Sequence, residues 1–168
     1  MRNYSKKILD LASMKAERER LRAAGRKLVF TNGCFDIIHP GHVDYLTFAR
    51  SQGDALLVGL NSDASVRRNK GPLRPLVPQE DRTRVVAGLE AVDYVMLFDE
   101  DEPARLIGDI LPDVLVKGED WAHYVSGREV VEKNGGKVVL APLVPGRSTT
   151  DIVGRIRERY GAKEAPRG

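Results

Sequence analysis

Five short apolar runs recur along the chain: "KLVFT" at 27–31, "ALLVGL" at 55–60, "YVMLF" at 94–98, "DVLVK" at 113–117 and "KVVLA" at 137–141. Between them lie stretches with helical spacing. Strands apolar on both faces need helices covering both sides, which is the condition of a parallel sheet. Alternation of such strands with helices therefore predicts an α/β fold, a Rossmann-like doubly wound parallel sheet in a single domain. In such sheets ligands bind beyond the carboxyl ends of the strands, where the strand order reverses.

The helical stretches are expected at residues 10–24, 40–52, 79–92, 102–111 and 150–160, with another ending at 129–134. Leu11, Met14 and Leu21 mark the inner face of the first, and Gly25 stops it. Val43, Leu46 and Ala49 mark that of the second. Residues 67–78 read as a basic, proline-rich loop. The resulting division is an N-terminal helical segment packed on the domain (1–26), the domain itself (27–160) and a frayed tail (161–168).

Composition excludes several classes of function. The chain is 42% hydrophobic and 30% charged, the balance of a globular protein rather than a disordered one. A single cysteine rules out an internal disulfide and a multi-cysteine zinc site. No apolar run is long enough to cross a bilayer, and the charged N-terminus has no signal-peptide core, so a cytoplasmic location is expected. The net charge of +3 is spread along the chain rather than gathered into a face for nucleic acid. Its clearest basic cluster, at 67–74, suits a small polyanion.

The usual phosphate loop G-x-x-x-x-G-K-[ST] and the dinucleotide fingerprint G-x-G-x-x-G are both missing. The turn after the first strand offers another anion site. In "TNGCFDIIHPGH", Pro40 suits the first position of a helix, which puts His39 at the N-cap and His42 in the first turn. Residues three apart share a face, so the two imidazoles can point the same way. Helix-terminal N–H groups and the positive dipole end lie there too. Gly33 and Gly41 leave room for a ligand near the backbone.

"GCFDIIHPGH" resembles the signature of the H-x-G-H nucleotidyltransferases, which transfer a nucleotidyl group from ATP or CTP to a phosphate. Within that superfamily the chain resembles the adenylyltransferases that make ADP-heptose for lipopolysaccharide. "TNGCFDIIHPGHVDYL", "GLNSDASVRRNKGPLRP", "QEDRTRVVAGLEAVDYV", "ILPDVLVKGEDW" and "NGGKVVLAP" followed by "STTDIV" carry the likeness, in order, over residues 28–154.

The resemblance implies an in-line attack by a sugar phosphate oxygen on the α-phosphorus of ATP, with Mg2+ and without a covalent intermediate. It implies catalytic roles for His39, His42, Lys70 and Arg82, the last on a helix facing the phosphates. Thr31, Asn32, Gly33, Phe35, Gly41, Arg74, Lys117, Gly118, Asp120, Ser148, Thr149 and Thr150 would contact the nucleotide. Phe35 and Trp121 read equally as core aromatics, and Thr150 as no more than part of a helix cap. Asp36, Asn61 and Asp63 are candidates for the acceptor or the cation, while Cys34 and His123 read as structural. No protein metal site is expected.

The implied partners are ATP and a sugar 1-phosphate, D-glycero-D-manno-heptose 1-phosphate, with no nucleic acid and no membrane. A homodimer is one reading of the assembly, since relatives often pair. A sugar kinase, fused to this domain in many relatives, is expected on another chain. The rival reading is a cytidylyltransferase acting on glycerol 3-phosphate, whose corresponding motif "GEDW" resembles. That group carries an arginine before "STT" where this chain has Leu143, which favours ATP. A catalytically silent nucleotide-binding module is a third reading, since fold alone does not imply activity. An RNA-binding role rests only on the basic isoelectric point.

Overall fold

Alternate residues of the first strand point to opposite sides of a sheet, and both sides are apolar. In the computed structural model, which describes residues 3–142, 146 and 148–161, this strand is β1 (Leu28–Gly33). Leu28 and Phe30 enter one core cluster and Val29 the other. The remaining strands are β2 (Ala55–Asn61), β3 (Tyr94–Phe98), β4 (Val114–Gly118) and β5 (Lys137–Ala141). All pair in parallel, in the order β3-β2-β1-β4-β5. This is a Rossmann-like sheet. The chain winds outward from β1 to β3, then returns to β4, so the order reverses between β1 and β4.

Helices cover both faces. On one side lie α1 (Leu11–Ala23), α5 (Ala104–Ile110) and α6 (Arg128–Lys133), which supply Met14, Leu21, Ile107, Ile110 and Val131 to the core. On the other lie α2 (Pro40–Arg50) and α4 (Gln79–Gly88), which supply Leu46, Ala49, Val86 and Ala87. The remaining helices are α3 (Asp63–Lys70), which follows β2 and packs against it, and α7 (Thr149–Tyr160), which follows β5 in the chain.

The N-terminal helix is integral to this core. Met14 and Leu21 are fully buried, worth about 3–6 kcal/mol together against a typical domain stability of about 5–15 kcal/mol. Between them Arg18, only 3% exposed, donates to the Leu111 carbonyl at 3.1 and 2.8 Å and to both oxygens of Asp113 at 2.8 Å. Asp113 also accepts from the Leu28 N–H at 2.7 Å, tying α1 to the start of β1.

Several expectations need correction. Leu11 lies at the exposed start of α1, and Arg18 takes its place on the inner face because a bidentate carboxylate compensates its burial. Val43 is 44% exposed, and α2 packs through Leu46 and Ala49, with Tyr45 and Phe48 against the same cluster. The basic segment 67–70 is the last turn of α3, whose N-cap is Ser62, and only 71–78 forms a loop. Of the expected frayed tail, residues 162–168 lie outside the described residues. Among those described, no helix is long and apolar enough to cross a membrane.

Candidate active site

The site is built around the turn that joins β1 to α2, at the reversal of the strand order. His39 occupies the N-cap with extended backbone, and Pro40 opens the helix. The His42 N–H closes the first turn on the His39 carbonyl at 2.9 Å. The His39 side chain makes no capping bond. Instead its ring stacks on His42, with centroids 3.8 Å apart and planes inclined by 25°. Burial, and then the neighbouring His39, pull the His42 imidazolium down to a pKa of about 4, so His42 is neutral at pH 7.

Phe35 supports the pair from the other side, its ring 5.1 Å from that of His42. Its φ of 44° lies in the left-handed region, which costs a residue with a side chain roughly 1–2 kcal/mol. The same ring explains Gly33. A Cβ there would sit 2.9 Å from Phe35 Cε2.

Beside this turn opens a cleft of about 470 Å³. It continues into a smaller lobe of about 240 Å³, and the two share a wall that includes Asn32, Phe35, His42 and Lys117. Lys117 stands at the end of β4 with its ammonium 5.6 Å from the centre of the Trp121 ring. Burial lowers its pKa to about 8. Lys70 and Arg74 add positive charge to the larger lobe.

The loop after α3 is held against the histidine turn from two directions. Asp36 accepts from the N–H of Leu76 at 2.8 and 3.0 Å, from that of Val77 at 2.8 Å, and from the Arg74 guanidinium. Burial alone would raise the Asp36 pKa, but the Leu76 and Val77 amides and Arg74 outweigh it and hold the carboxyl below its usual range. From beneath, Arg82 donates to the Val77 carbonyl at 2.9 Å, to the Cys34 carbonyl at 2.5 Å and to Asp63 at 2.7 Å. One guanidinium thus joins the histidine turn, the loop and the start of α3.

Residues 30–155, three quarters of the chain, match the cytidylyltransferase-like family. The chain belongs to that family. Among curated relatives, the bifunctional protein HldE of Geobacter sulfurreducens is 56% identical over 141 residues, 83% of this chain and 29% of that protein. The HldE of Syntrophotalea carbinolica is 51% identical over 158 residues, 94% of this chain and 32% of its own length. The chain therefore spans about a third of the curated relatives it matches. These relatives are bifunctional by name, so they do not support the expectation of a sugar kinase on another chain.

Among solved structures, the lipopolysaccharide core biosynthesis protein of Thermoplasma volcanium superposes with a TM-score of 0.59 at 28% identity, over 71% of this chain and 98% of that one. The pantoate-beta-alanine ligase of Francisella tularensis gives 0.58 at 16% identity, over 90% and 77%, a likeness of fold alone.

In this member of the cytidylyltransferase-like family the expected site residues separate into groups. Asn32, Gly33, Phe35, Asp36, His42, Asn61, Lys70, Arg74, Lys117, Thr149 and Thr150 line the larger lobe, and Gly118 and Asp120 the smaller. His39 and Gly41 stand in the turn beside His42 without lining either lobe. Thr31 is buried, sharing a 2.6 Å hydrogen bond with Tyr45, and Ser148 caps α7 by accepting from the Asp151 N–H at 3.1 Å. Arg82 does not face the cleft. It is 1% exposed and its pairing with Asp63 takes both residues out of the lining.

Sequence reading missed Asp101, Glu102, Tyr124 and Ser126, which close the far side of the larger lobe. They lie in loops after β3 and β4, with no motif to mark them. Cys34, read as structural, lines both lobes. Leu143, which bears on the choice between ATP and CTP, lies outside the described residues. Among the described residues, no group of three or more His, Cys, Asp or Glu side chains is arranged to hold a metal. Asp36 is already committed to three donors.

Proposed function

We propose that this chain transfers the adenylyl group of ATP to a sugar 1-phosphate, D-glycero-D-manno-heptose 1-phosphate, releasing pyrophosphate and forming ADP-heptose for lipopolysaccharide. The observation that carries this reading is the stacked His39–His42 pair at the start of α2, beside a cleft whose cations are Lys70, Arg74 and Lys117. Identity above 50% with HldE proteins over most of the chain supports it, as does the likeness to a lipopolysaccharide core biosynthesis protein.

In this reading an acceptor phosphate oxygen bonds to the α-phosphorus as the α–β bridging bond breaks, and the electron pair leaves with pyrophosphate. No group on the protein is adenylylated, so the chain acts by holding both substrates and by meeting charge where it grows. His42, neutral and donating, stabilises a non-bridging oxygen. Lys117 neutralises the α-phosphate region, and Lys70 and Arg74 the departing pyrophosphate. Arg82 and Asp36 position the loop that carries Arg74. Mg2+ enters as part of the ATP substrate and withdraws charge from its phosphates. The reading puts the reaction in the cytoplasm.

Pyrophosphate release measured across ATP and CTP with a panel of phosphate acceptors tests this. The expected result is turnover with ATP and a sugar 1-phosphate only. Equal or better turnover with CTP and glycerol 3-phosphate, a substrate pair consistent with the family's description, would overturn it. Absence of turnover with every pair would favour a silent binding module.

A further inference from the structure

The two lobes differ in chemistry beyond their shared wall. The smaller adds Tyr45, Gly118 and Asp120. The larger adds the cations Lys70 and Arg74 and, from the opposite side, Glu102, Tyr124 and Ser126. Glu102 lies between β3 and α5, while Tyr124 and Ser126 lie between β4 and α6, so this side arises on the face of the sheet opposite α2.

The Glu102 carboxylate is held by hydroxyls. Tyr124 Oη donates to Oε2 at 2.7 Å and Ser126 Oγ to the same oxygen at 2.9 Å. Oε1 takes part in neither bond. Ser126 is 8% exposed and firmly seated, whereas Tyr124 is half exposed along the cleft. The adjacent Asp101 is already used, its carboxylate by Arg68 at 2.6 Å and its carbonyl by Asn69 at 3.1 Å. Among the described residues no lysine or arginine makes a salt bridge to Glu102.

Glu102 is near enough to Lys117 to favour its charge, yet makes no salt bridge to a described lysine or arginine, and on the rim of a cleft that gathers phosphates it repels the phosphates themselves. What it can accept is hydroxyl protons, and charge-assisted bonds of that kind are the strong ones. Two substrates must meet at one phosphorus, and the two lobes meet at His42 and Lys117. If the nucleoside takes the smaller lobe, beside Gly118 and Asp120, the acceptor's carbon chain is left with the larger.

We infer that Glu102, seated by Tyr124 and Ser126, binds the hydroxyl groups of the acceptor and selects a polyhydroxylated sugar phosphate over a bare one. This rests on the transfer reaction proposed above. Glu102 contributes acceptor affinity and discrimination, while the histidine turn contributes to the chemical step. The same diol chemistry is present in the nucleotide ribose, and the test separates the two.

The experiment compares the wild-type chain with Glu102→Gln and Tyr124→Phe. Tyr124→Phe removes only an oxygen from a half-exposed ring, so folding is preserved whatever happens to the first variant. KM for the sugar 1-phosphate is expected to rise roughly 10–100-fold in Glu102→Gln and less in Tyr124→Phe. The affinity for ATP alone, read by calorimetric titration without acceptor, is expected to stay within about twofold. Equal loss of ATP affinity would assign the carboxylate to the ribose and overturn the inference. No change in either constant would leave Glu102 as a loop brace and overturn it too. Titrating sugar 1-phosphate onto protein saturated with a non-reactive ATP analogue reads the same subsite without turnover. The proposed reaction can then fail while acceptor binding, and its loss in the variants, still stands.

Discussion

His39 and His42 stack ring on ring, 3.8 Å between centroids, with neither imidazole spent on capping the helix that carries them. Burial, and then the neighbouring His39, keep His42 uncharged near pH 7. An uncharged imidazole can approach a polyphosphate as a hydrogen-bond donor and respond as negative charge develops. Five expectations follow from this arrangement and its supports.

His42→Ala removes the donor from the wall shared by both lobes. Turnover is expected to fall at least ~100-fold while the circular dichroism spectrum is unchanged. Normal turnover would make the stack a structural feature. The pH dependence has a definite sign. The folded-state pKa of about 4 lies below the ordinary 6.5, so the unfolded chain binds the extra proton first. Stability from this group is complete above about pH 6.5 and is lost as pH falls towards 4. Melting temperature should therefore drop more steeply over that window in the wild type than in His42→Gln.

Lys117 is held at a pKa of about 8, chiefly by burial. Its positive charge in the unliganded protein is lost as pH rises through that value. The kcat/KM for the nucleotide should decline above about pH 8, and Lys117→Arg should remove the decline because a guanidinium stays charged. A decline unaltered in the variant would assign it to another group.

Arg82 reaches three elements at once and is nearly inaccessible. Arg82→Met strands Asp63 and two carbonyls, at a cost of about 3–5 kcal/mol measured by urea unfolding. Arg82→Lys is the gentler variant and reports on mechanism. If the residue positions the loop, loss of turnover will accompany faster hydrogen exchange at the Leu76 and Val77 amides. Lost turnover with unchanged exchange would instead bring Arg82 into contact with substrate.

Gly33→Ala sets a methyl group against the Phe35 ring. Because Phe35 is buried and backs His42, relief by displacement disturbs the site directly. A loss of about 1–3 kcal/mol, with reduced turnover, is expected from thermal unfolding and pyrophosphate assays. Wild-type values for both would mean the ring moves without consequence.

Arg18→Ala breaks the clasp between α1 and the strand ends on the face away from the histidine turn. It should destabilise the fold by roughly 2–4 kcal/mol, since Asp113 is partly solvated and recovers some water. Turnover of the folded fraction should be near normal. A selective loss of turnover would show that α1 communicates with the cleft.

Much of this was legible in the chain itself. The five apolar runs became five parallel strands, because hydrophobic patterning with the right spacing leaves few other places for them. The histidine turn was legible because its information is local. Proline sets the helix start, and a spacing of three sets the shared face. The burial of Arg82 and Thr31 was not legible for the complementary reason: nothing local distinguishes an arginine facing a cleft from one bonded beneath it. Glu102, Tyr124 and Ser126 carried no signal at all, since they are brought together by loops after strands that are not consecutive in the sheet.

The amino-acid sequence alone thus determined the fold class, the position of the histidine turn and the types of side chain available to it. Tertiary structure decided which of those side chains face the cleft, which brace it, and that a hydroxyl-held carboxylate stands across from the histidines. The physical reason is the range of the interactions. Periodicity, capping and helix-terminal charge act within a few residues and are written along the chain. Burial, pKa and cross-loop hydrogen bonds depend on segments 20 to 50 residues apart, such as Tyr124 with Glu102 and Arg82 with Cys34, that meet only once the sheet has formed.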